Sequence, residues 1–319
     1  MMIWPDESQI GQIQIELTNY CNAACPGCER NFIERNSITD KDFILNKNHL
    51  SLSLIKNTFK KGKWNNLDKI FFCGNVDEPT TNPELIDIIK YFETITDNEL
   101  RIVISTNGGS RSETFWSELG KLSNAWKGKI YTMFCIDGLE DTNHLYRKNV
   151  KWKKVKNNWR TYINSGGEAY WQFIPFAWNN DQIDIAKQMS IDEGFVKFFV
   201  KENYHENKRV DYHVKGQVVK KKIKIEHNNV PKCKALPGNG SGHMHPTHGG
   251  FFITALGYIT PCCWYGTYDN LTYLWEKSNI DKKYHNINYY SLKEIFEGPM
   301  YKWMEDNMAS QKVCNKKCK

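Results

Sequence analysis

The sequence predicts an α/β fold with a parallel sheet, followed by a smaller C-terminal domain of different composition. From residue 12 to about residue 202, strand-like and helix-like segments alternate, which is the pattern of βαβ units. After residue 203 the chain becomes polar and lysine-rich, and then rich in glycine, histidine and cysteine. This change of composition predicts a domain boundary.

Six strands are predicted, because six short runs are rich in β-branched and aromatic residues. They are QIQIELT (12–18), LDKIFFCG (67–74), LRIVISTN (100–107), KIYTMFCID (129–137), YWQFIPFA (170–177) and VKFFVKE (196–202). Between them, segments such as PELIDIIKYFETI and QIDIAKQMSIDEG carry apolar residues at helical spacing. Beyond the boundary we expect a short hairpin in GGFFITALGYITPCCW and helical structure in SLKEIFEGPMYKWMEDN.

The bulk composition excludes several classes of protein. A chain of 319 residues with 40% hydrophobic and 13% aromatic residues can bury a core, so it is not a disordered segment. No apolar run is long enough to cross a bilayer, and the N-terminus lacks the basic and apolar regions of a signal peptide, so we expect a cytoplasmic protein. Ten cysteines in a reducing compartment favour metal binding or catalysis over disulfides.

Three of these cysteines, Cys21, Cys25 and Cys28, follow the first strand at the spacing C-x3-C-x2-C. A closed zinc site takes four ligands, and no further cysteine or histidine is nearby in the sequence. A four-iron cluster takes one thiolate for each iron, so three cysteines leave one iron open to a substrate or cosubstrate. Cysteines that only pack, or that bind zinc with a distant fourth ligand, are the alternatives.

This motif, directly after a first strand and followed by further βα units, resembles the signature of the radical S-adenosylmethionine (SAM) superfamily. The resemblance implies a partial (β/α)6 TIM-like barrel and a [4Fe-4S] cluster whose open iron is chelated by SAM. It also implies that one electron, from a reductant protein such as flavodoxin or ferredoxin, cleaves SAM to methionine and a 5'-deoxyadenosyl radical. That radical abstracts a hydrogen atom from the substrate.

Polar residues at successive strand ends are similar to the SAM-binding elements of that superfamily. FCGNVDEPTTNPEL resembles a Gly-Gly-Glu-Pro element with Asn75 and Val76 inserted, and ISTNGG and CIDGLED resemble the next two elements, with Cys135 where serine is usual. Turns, helix caps and an exposed arginine are the alternative interpretations. The SAM-binding residues that the resemblance implies are Gly74, Asp77, Glu78, Ser105, Asn107, Asp137 and Arg147.

The C-terminal cysteines predict a second cluster. Gly257 to Cys262 forms G-x4-C, which resembles the SPASM and twitch extensions of radical SAM enzymes. The resemblance implies one auxiliary [4Fe-4S] cluster, with Cys263 competing for the place of Cys262; four cysteines could also bind zinc. Possible further ligands, or loop residues, are His243, His245 and His248. The implied ligands are Cys233, Cys262, Cys314 and Cys318.

The predicted domains and function follow from these elements. The domains are a radical SAM partial barrel (1–205), a basic linker or barrel-edge segment (206–230) and a SPASM/twitch-like domain (231–319). We expect a peptide or protein substrate that is oxidised, cross-linked or epimerised, with Cys73 and Cys135 as hydrogen donors or as inert buried thiols.

Three other functions stay open at this point. A small metabolite or sugar could be the substrate. RNA is a further candidate because of the run KGQVVKKKIKIEH and the net charge of +7, although no RNA-binding module accompanies them. The third alternative is a non-catalytic iron-sulfur redox protein.

Overall fold

The predicted sheet is present in the computed structural model, which describes residues 7–35, 47–96, 99–201, 235, 248–307, 311 and 313–314. All six predicted strands occur, and each pairs in parallel with the next along the chain. They are β1 (Ile10–Ile15), β2 (Lys69–Phe72), β3 (Arg101–Thr106), β4 (Ile130–Cys135), β5 (Glu168–Phe173) and β6 (Lys197–Val200).

The C-terminal hairpin is confirmed and joins the same sheet. Its strands are β7 (Gly249–Ile253) and β8 (Ile259–Thr260), which pair antiparallel. β7 also pairs in parallel with β1, so the order of strands is β6-β5-β4-β3-β2-β1-β7-β8. The hairpin therefore extends the barrel sheet at the β1 edge, next to the loop that carries the first cysteine motif.

Helices connect the strands and cover one face of the sheet. Short 3-10 helices lie at Glu7–Gln9, Pro79–Thr81, Asn180–Gln182 and Lys282–His285. The α-helices are α1 (Glu29–Arg35), α2 (Leu52–Thr58), α3 (Leu85–Glu93), α4 (Glu113–Ala125), α5 (Asn143–Tyr146), α6 (Trp152–Asn164), α7 (Ile183–Asp192), α8 (Tyr268–Ser278), α9 (Leu292–Phe296) and α10 (Pro299–Asn307).

The predicted helical segment near the C-terminus consists of two helices with a break at Gly298. A Cβ atom at this position would lie 2.7 Å from the carbonyl oxygen of Glu294, so a larger residue would not fit. Pro299 follows, and it tolerates the first position of a helix because the first amide groups have no partner within the helix. Local sterics therefore end α9 and allow α10 to begin.

Side chains of the strands alternate between a helix-covered face and an inner face. On the covered face, Phe134 packs against Trp116 of α4 with ring centroids 5.3 Å apart, and Trp171 packs against Trp159 of α6 at 5.6 Å. These rings are completely buried and form the core. The inner face is more polar, and the residues that alternate with the core positions on it include Gln12, Gln14, Cys73, Ser105, Cys135 and Gln172.

The domain boundaries remain a prediction, since residues 206–230 lie outside the described residues. In the part of the chain that the structure describes, no helix is both long and apolar enough to span a membrane.

Candidate active site

The three N-terminal cysteines lie on the loop between β1 and α1. Cys25 is buried, while Cys21 and Cys28 are half-buried. The Cys28 amide donates a hydrogen bond to the Cys25 carbonyl at 3.0 Å, which closes a tight turn between these two thiols. Burial raises the pKa of all three thiols, that of Cys28 to about 12; Cys25 adds to the effect on Cys21 and on Cys28, and Cys28 adds to the effect on Cys21. The loop therefore gathers three thiols whose pKa values stay above the usual value. Arg147 lowers the pKa of Cys25 and of Cys28, but by less than burial raises them.

Each of the three sulfur atoms contacts a different loop from the carboxyl end of the sheet. In two of the contacts a side-chain N–H group donates to the sulfur, and in the third the thiol donates to a backbone carbonyl oxygen. The loops follow β3, β4 and β2, which lie side by side in the sheet. The contacts are Cys21 Sγ to Asn107 Nδ2 (3.6 Å), Cys25 Sγ to Arg147 Nη1 (3.8 Å) and Cys28 Sγ to the Asn75 oxygen (3.4 Å).

This donor set fits a cubane cluster better than a single metal ion. Among the described residues, no three His, Cys, Asp or Glu side chains converge on one position that a single ion could occupy. A mononuclear zinc site needs such convergence, whereas a four-iron cluster places each thiolate on a different iron. Amide and guanidinium donors next to the sulfurs are also groups that stabilise negative charge on thiolates. Cys21, Cys25 and Cys28 therefore fit a [4Fe-4S] cluster.

The loop after β2 is ordered by Asp77, one of the predicted SAM-binding residues. Its Oδ1 atom accepts a hydrogen bond from the Gly74 amide at 2.7 Å, and its Oδ2 atom accepts one from the Leu17 amide at 3.2 Å. Burial raises the pKa of Asp77 well above its usual range, and the neighbouring carboxyl groups Glu16 and Glu78 add to the effect. Asp77 thus ties the ends of β1 and β2 together at this point.

Glu78 plays a similar part between β2 and β3. Its Oε1 atom accepts hydrogen bonds from the hydroxyl groups of Thr80 (2.6 Å) and Thr106 (2.5 Å), and its Oε2 atom accepts one from the Asn107 amide (2.7 Å). Glu78 is 2% exposed. Both carboxylate oxygens are therefore occupied by the chain itself, and Glu78 holds Asn107 beside the Cys21 sulfur. Its role in SAM binding stays a prediction.

Asp137 and Arg147 form a buried ion pair at the end of β4. The Arg147 Nε atom lies 2.7 Å from Asp137 Oδ2, and Asp137 Oδ1 accepts a hydrogen bond from the Ile174 amide at 2.8 Å. Burial alone would lower the pKa of Arg147, but Asp137 and Cys25 more than compensate and raise it well above its usual range. Arg147 is therefore a fixed positive charge next to Cys25. Its role in SAM binding stays a prediction.

Glu16 is a site residue that the sequence analysis missed. Its Oε1 atom accepts hydrogen bonds from the amides of Asn75 (2.7 Å) and Val76 (2.8 Å), and its Oε2 atom accepts one from Ala255 (3.0 Å). Burial raises the pKa of Glu16 to about 6, against the effect of these three hydrogen bonds. Gly74 leaves the room for this arrangement, because a Cβ atom there would collide with the Glu16 side chain. The sequence signal that could have identified Glu16 is its position two residues after Gln14, which continues the polar face of β1.

The two predicted hydrogen donors, Cys73 and Cys135, lie on the inner face of the sheet. The Cys135 Sγ atom is 3.2 Å from Ser105 Oγ, and Gln172 Nε2 lies 3.4 Å from the same sulfur. Burial raises the pKa of both thiols, and Cys135 adds to the effect on Cys73. The structure therefore places both thiols on the inner face of the sheet. Their roles as hydrogen donors are untested.

The hairpin separates its two adjacent cysteines. Cys263 lies close to the side chain of Gln14 on β1, which places it at the barrel interior, and burial raises its pKa to about 11. Cys262 instead precedes Tyr265, whose amide donates to the Cys262 carbonyl at 3.0 Å. The Cys314 sulfur lies 3.9 Å from the hydroxyl group of the same tyrosine. The choice between Cys262 and Cys263 as the ligand that accompanies Cys314 stays a prediction.

The other predicted ligands, except for His248, lie outside the described residues. Cys233, Cys318, His243 and His245 lie outside the described residues, and His248 is half-buried at the start of the hairpin. The auxiliary ligand set thus remains a prediction.

Two family models match this chain. The model of the radical SAM superfamily matches residues 15–176, and that of an iron-sulfur cluster-binding domain, SPASM, matches residues 247–319. Because the first match covers slightly more than half of the sequence, the chain belongs to the radical SAM superfamily. Its cofactors are therefore SAM and a [4Fe-4S] cluster, and the SPASM domain adds auxiliary iron-sulfur binding. No curated protein matches the sequence.

Solved structures show the same fold. The structure of Streptococcus suis SuiB bound to the precursor peptide SuiA aligns with a TM-score of 0.57 at 12% identity, covering 82% of this chain and 61% of SuiB. The anSMEcpe structure with bound AdoMet aligns with a TM-score of 0.57 at 13% identity, over 96% of this chain and 85% of that one. A further anSMEcpe structure, with AdoMet and the Cp18Cys peptide, gives 0.55 at 13% identity, over 97% and 86%. At these identities the likeness concerns the fold.

Proposed function

We propose that this radical SAM enzyme abstracts a hydrogen atom from a peptide or protein substrate, which is then oxidised, cross-linked or epimerised. The observation that carries the proposal is the position of the Cys21–Cys28 loop. Its three thiols contact the loops that follow β2, β3 and β4, at the carboxyl end of the sheet. Active sites of barrels with parallel strands lie at this end. Cluster, SAM and substrate would thus meet at the mouth of the barrel.

When bound, the cluster and SAM would supply the one-electron radical chemistry that removes a hydrogen atom from the substrate. The chain would hold the cluster through Cys21, Cys25 and Cys28. Arg147 keeps a positive charge beside the Cys25 sulfur, and Asn107 donates toward Cys21.

The remaining residues of the site act as rigid supports. Asp77 and Glu78 fix the loop after β2 through hydrogen bonds to Gly74, Leu17 and Asn107. A fixed arrangement of this kind brings reacting groups together in the correct orientation, which is a large part of catalysis. We infer that SAM binds against these loops.

The inner face beyond the loops suits a substrate. Its polar atoms and thiols come from several strands, including Gln14, Ser105, Cys135 and Gln172. SuiB with its precursor peptide and anSMEcpe with a Cys peptide share this fold, which supports a peptide as the substrate class. A reductant protein such as flavodoxin or ferredoxin would supply the electron for SAM cleavage, and an auxiliary cluster would take up the electron that the substrate loses if the net reaction is an oxidation.

The experiment combines the anaerobically reconstituted protein with SAM, dithionite and random-sequence peptide pools. We expect peptide to increase the rate of 5'-deoxyadenosine formation, and a fraction of the peptides to change in mass. Cys25→Ala should abolish both signals, while Cys262→Ala should leave 5'-deoxyadenosine formation in place. Formation of 5'-deoxyadenosine that responds to small sugars or to RNA but to no peptide would contradict a peptide substrate.

A further inference from the structure

A basic cleft lies on the helix-covered side of the sheet, where α4 and α6 begin. Its volume is about 380 Å³, and the described residues that line it come from the first turns of both helices and from the residues just before them. Four of its side chains are cations and one is a carboxylate, which gives a net charge of +3. The lining residues that matter here are Arg111, Glu113, Lys151, Lys153, Lys154 and Asn158.

The cations of the cleft face solvent rather than carboxylates of the protein. The three lysines are exposed, and Arg111 is half-buried with its guanidinium carbon 4.6 Å from the centre of the Phe115 ring. Within the described part of the chain, none of the four forms an ion pair within 4.0 Å, whereas Lys156 of the same helix is paired with Glu193 at 3.5 Å. Because like charges this close repel each other, an anionic ligand would stabilise the cleft.

Both helices add to this positive potential. Each has 13 residues and begins at the cleft, and the N-terminal end of a helix carries a partial positive charge. The Ser112 hydroxyl accepts a hydrogen bond from the Phe115 amide at the start of α4, while no described side chain caps α6 at Lys151. The helix ends therefore strengthen the potential that the four cations create.

Asn158 connects the floor of the cleft to the cluster site. This residue is 1% exposed, and its Nδ2 atom donates to the carbonyl oxygens of Gly108 (2.7 Å) and Ser110 (3.1 Å). Gly108 directly follows Asn107, whose side chain contacts the Cys21 sulfur at 3.6 Å. The cleft and the cluster site therefore share the loop that follows β3.

The other wall of the cleft is connected to the cysteine loop in a similar way. Lys151 ends the segment that begins at Arg147, and the Lys148 carbonyl in this segment accepts a hydrogen bond from the Ala24 amide at 3.0 Å. Ala24 directly precedes Cys25. Both walls thus belong to loops at the carboxyl end of the sheet, and the cleft lies on the rim of the end at which the proposed reaction occurs.

The composition of the cleft fits carboxylates better than nucleic acid. Proteins bind single-stranded nucleic acids through aromatic side chains that stack on the bases, in addition to basic groups, and none of the described lining residues is aromatic. Arginine is the residue typical of phosphate recognition, and the one arginine here stacks on Phe115. The three lysines are point charges that can each pair with a separate carboxylate.

We propose that this cleft binds an acidic segment of the peptide substrate, rich in Asp and Glu, while another part of the same peptide enters the barrel. This inference rests on the proposed function, because it takes the substrate to be a peptide. Exposed charges of this kind select the partner and speed its association, and their effect is weakened by salt.

The first experiment measures binding without turnover, on the anaerobically reconstituted protein in the absence of SAM. The probes are two fluorescently labelled peptides of eight residues, an Asp-Gly repeat and an Asn-Gly repeat, and fluorescence anisotropy gives their affinities. We expect the Asp-Gly peptide to bind at least about tenfold more tightly, and this preference to shrink as salt is added. Equal affinities for the two peptides at low salt would overturn the proposal.

The double variant Lys153→Glu/Lys154→Glu should weaken binding of the Asp-Gly peptide by at least about tenfold, because two attractive charges become repulsive. The helix should tolerate this change, since acidic residues are favourable in its first turn. The matched control is Lys121→Glu/Lys127→Glu, which alters the net charge equally at exposed positions near the other end of α4. Its affinity should stay within about twofold of wild type, and an equal loss in both double variants would overturn the proposal.

Glu113→Gln tests the cleft in the opposite direction. Removal of its one carboxylate should increase the affinity for the Asp-Gly peptide by about threefold, a gain that misfolding cannot produce. An affinity no higher than that of the wild type would contradict the proposal.

Two further measurements separate the acidic segment from other ligands and from the proposed function. A uridine oligonucleotide that bound more tightly than the Asp-Gly peptide, and lost affinity in Lys153→Glu/Lys154→Glu, would assign the cleft to nucleic acid and overturn the proposal. Peptide pools extended by an Asp-Gly segment should stimulate 5'-deoxyadenosine formation at about tenfold lower concentration than pools extended by Asn-Gly, and equal concentrations would count against it. If no pool stimulates the wild-type protein, the peptide substrate fails, and the anisotropy measurements still decide whether the cleft binds an acidic peptide.

Discussion

The buried ion pair between Asp137 and Arg147 gives the sharpest test of how the site is built. Arg147→Met keeps the length of the side chain and removes its charge. Asp137 is completely buried, so the substitution leaves a carboxylate without a charged partner. Breaking a buried pair in this way typically costs about 3 to 5 kcal/mol of the free energy of unfolding.

The double variant Asp137→Asn/Arg147→Met should recover most of this loss, because it leaves no buried charge. The matched control is the pair of Arg160 and Glu193, which is also close (2.6 Å) but involves an arginine whose side chain is 52% exposed. Arg160→Met should cost at most about 1 kcal/mol, as is typical of exposed pairs.

The pH dependence gives a second check on the same variant. Without Arg147, the largest effect that opposes burial is lost and the pKa of Asp137 rises further above the usual range, so the carboxyl group takes up a proton as the pH falls. The penalty of Arg147→Met should therefore be smaller at pH 5 than at pH 8. Urea unfolding followed by tryptophan fluorescence measures all four proteins at both pH values. A loss in Arg147→Met no larger than in Arg160→Met, or no recovery in the double variant, would refute a buried ion pair.

Three further predictions concern neighbouring residues. The pKa of Glu16 is raised from 4.5 to about 6 in the folded state. Its contribution to the free energy of unfolding is therefore fully present below pH 4.5 and is lost as the pH rises through 6. Glu16→Gln should remove this pH dependence, which amounts to about 2 kcal/mol, from the free energy measured by urea unfolding. Gly74→Ala should weaken SAM binding in calorimetry, because its Cβ atom would collide with Glu16, whereas Gly62→Ala, with open space around it, should not. Cys262→Ala should lower the iron content of the reconstituted protein and Cys263→Ala should not; the opposite result would exchange their roles.

Much of the fold could be predicted because the signals are local. Each of the six strands is a short apolar or aromatic run with a polar or glycine-containing end, and the chain alternates them with amphipathic helices. The parallel order of β1 to β6 then follows from the preference for connections between neighbouring strands. The cysteine motif could be found for the same reason, since its three residues lie within eight positions of the chain.

The features of the site that could not be predicted from the sequence depend on pairing between distant parts of the chain. β7 lies against β1 although about 240 residues separate them, and this pairing brings Ala255 to Glu16 and Cys263 to Gln14. Nothing in the local pattern of Glu16 shows that its partners are backbone amides from two distant loops. Sequence spacing likewise could not separate Cys262 from Cys263, because adjacent residues differ only in the direction of their side chains.

The Asn75–Val76 insertion is a third case. In the sequence it only departs from the Gly-Gly-Glu-Pro pattern. In the structure, the amides of both residues bind Glu16, and the side chain of Asn75 donates to the Cys263 carbonyl at 2.8 Å. The insertion therefore connects the loop next to Cys28 with the C-terminal hairpin.

The central claim is that Cys21, Cys25 and Cys28 hold a cluster with one iron open to SAM. The most direct measurement is the electron paramagnetic resonance spectrum of the reconstituted, dithionite-reduced protein before and after addition of SAM. We predict that SAM changes the cluster signal of the wild-type protein and that this response is absent from Cys21→Ala/Cys25→Ala/Cys28→Ala, which retains only signal from the C-terminal domain. A response to SAM that persists in the triple variant would contradict the account.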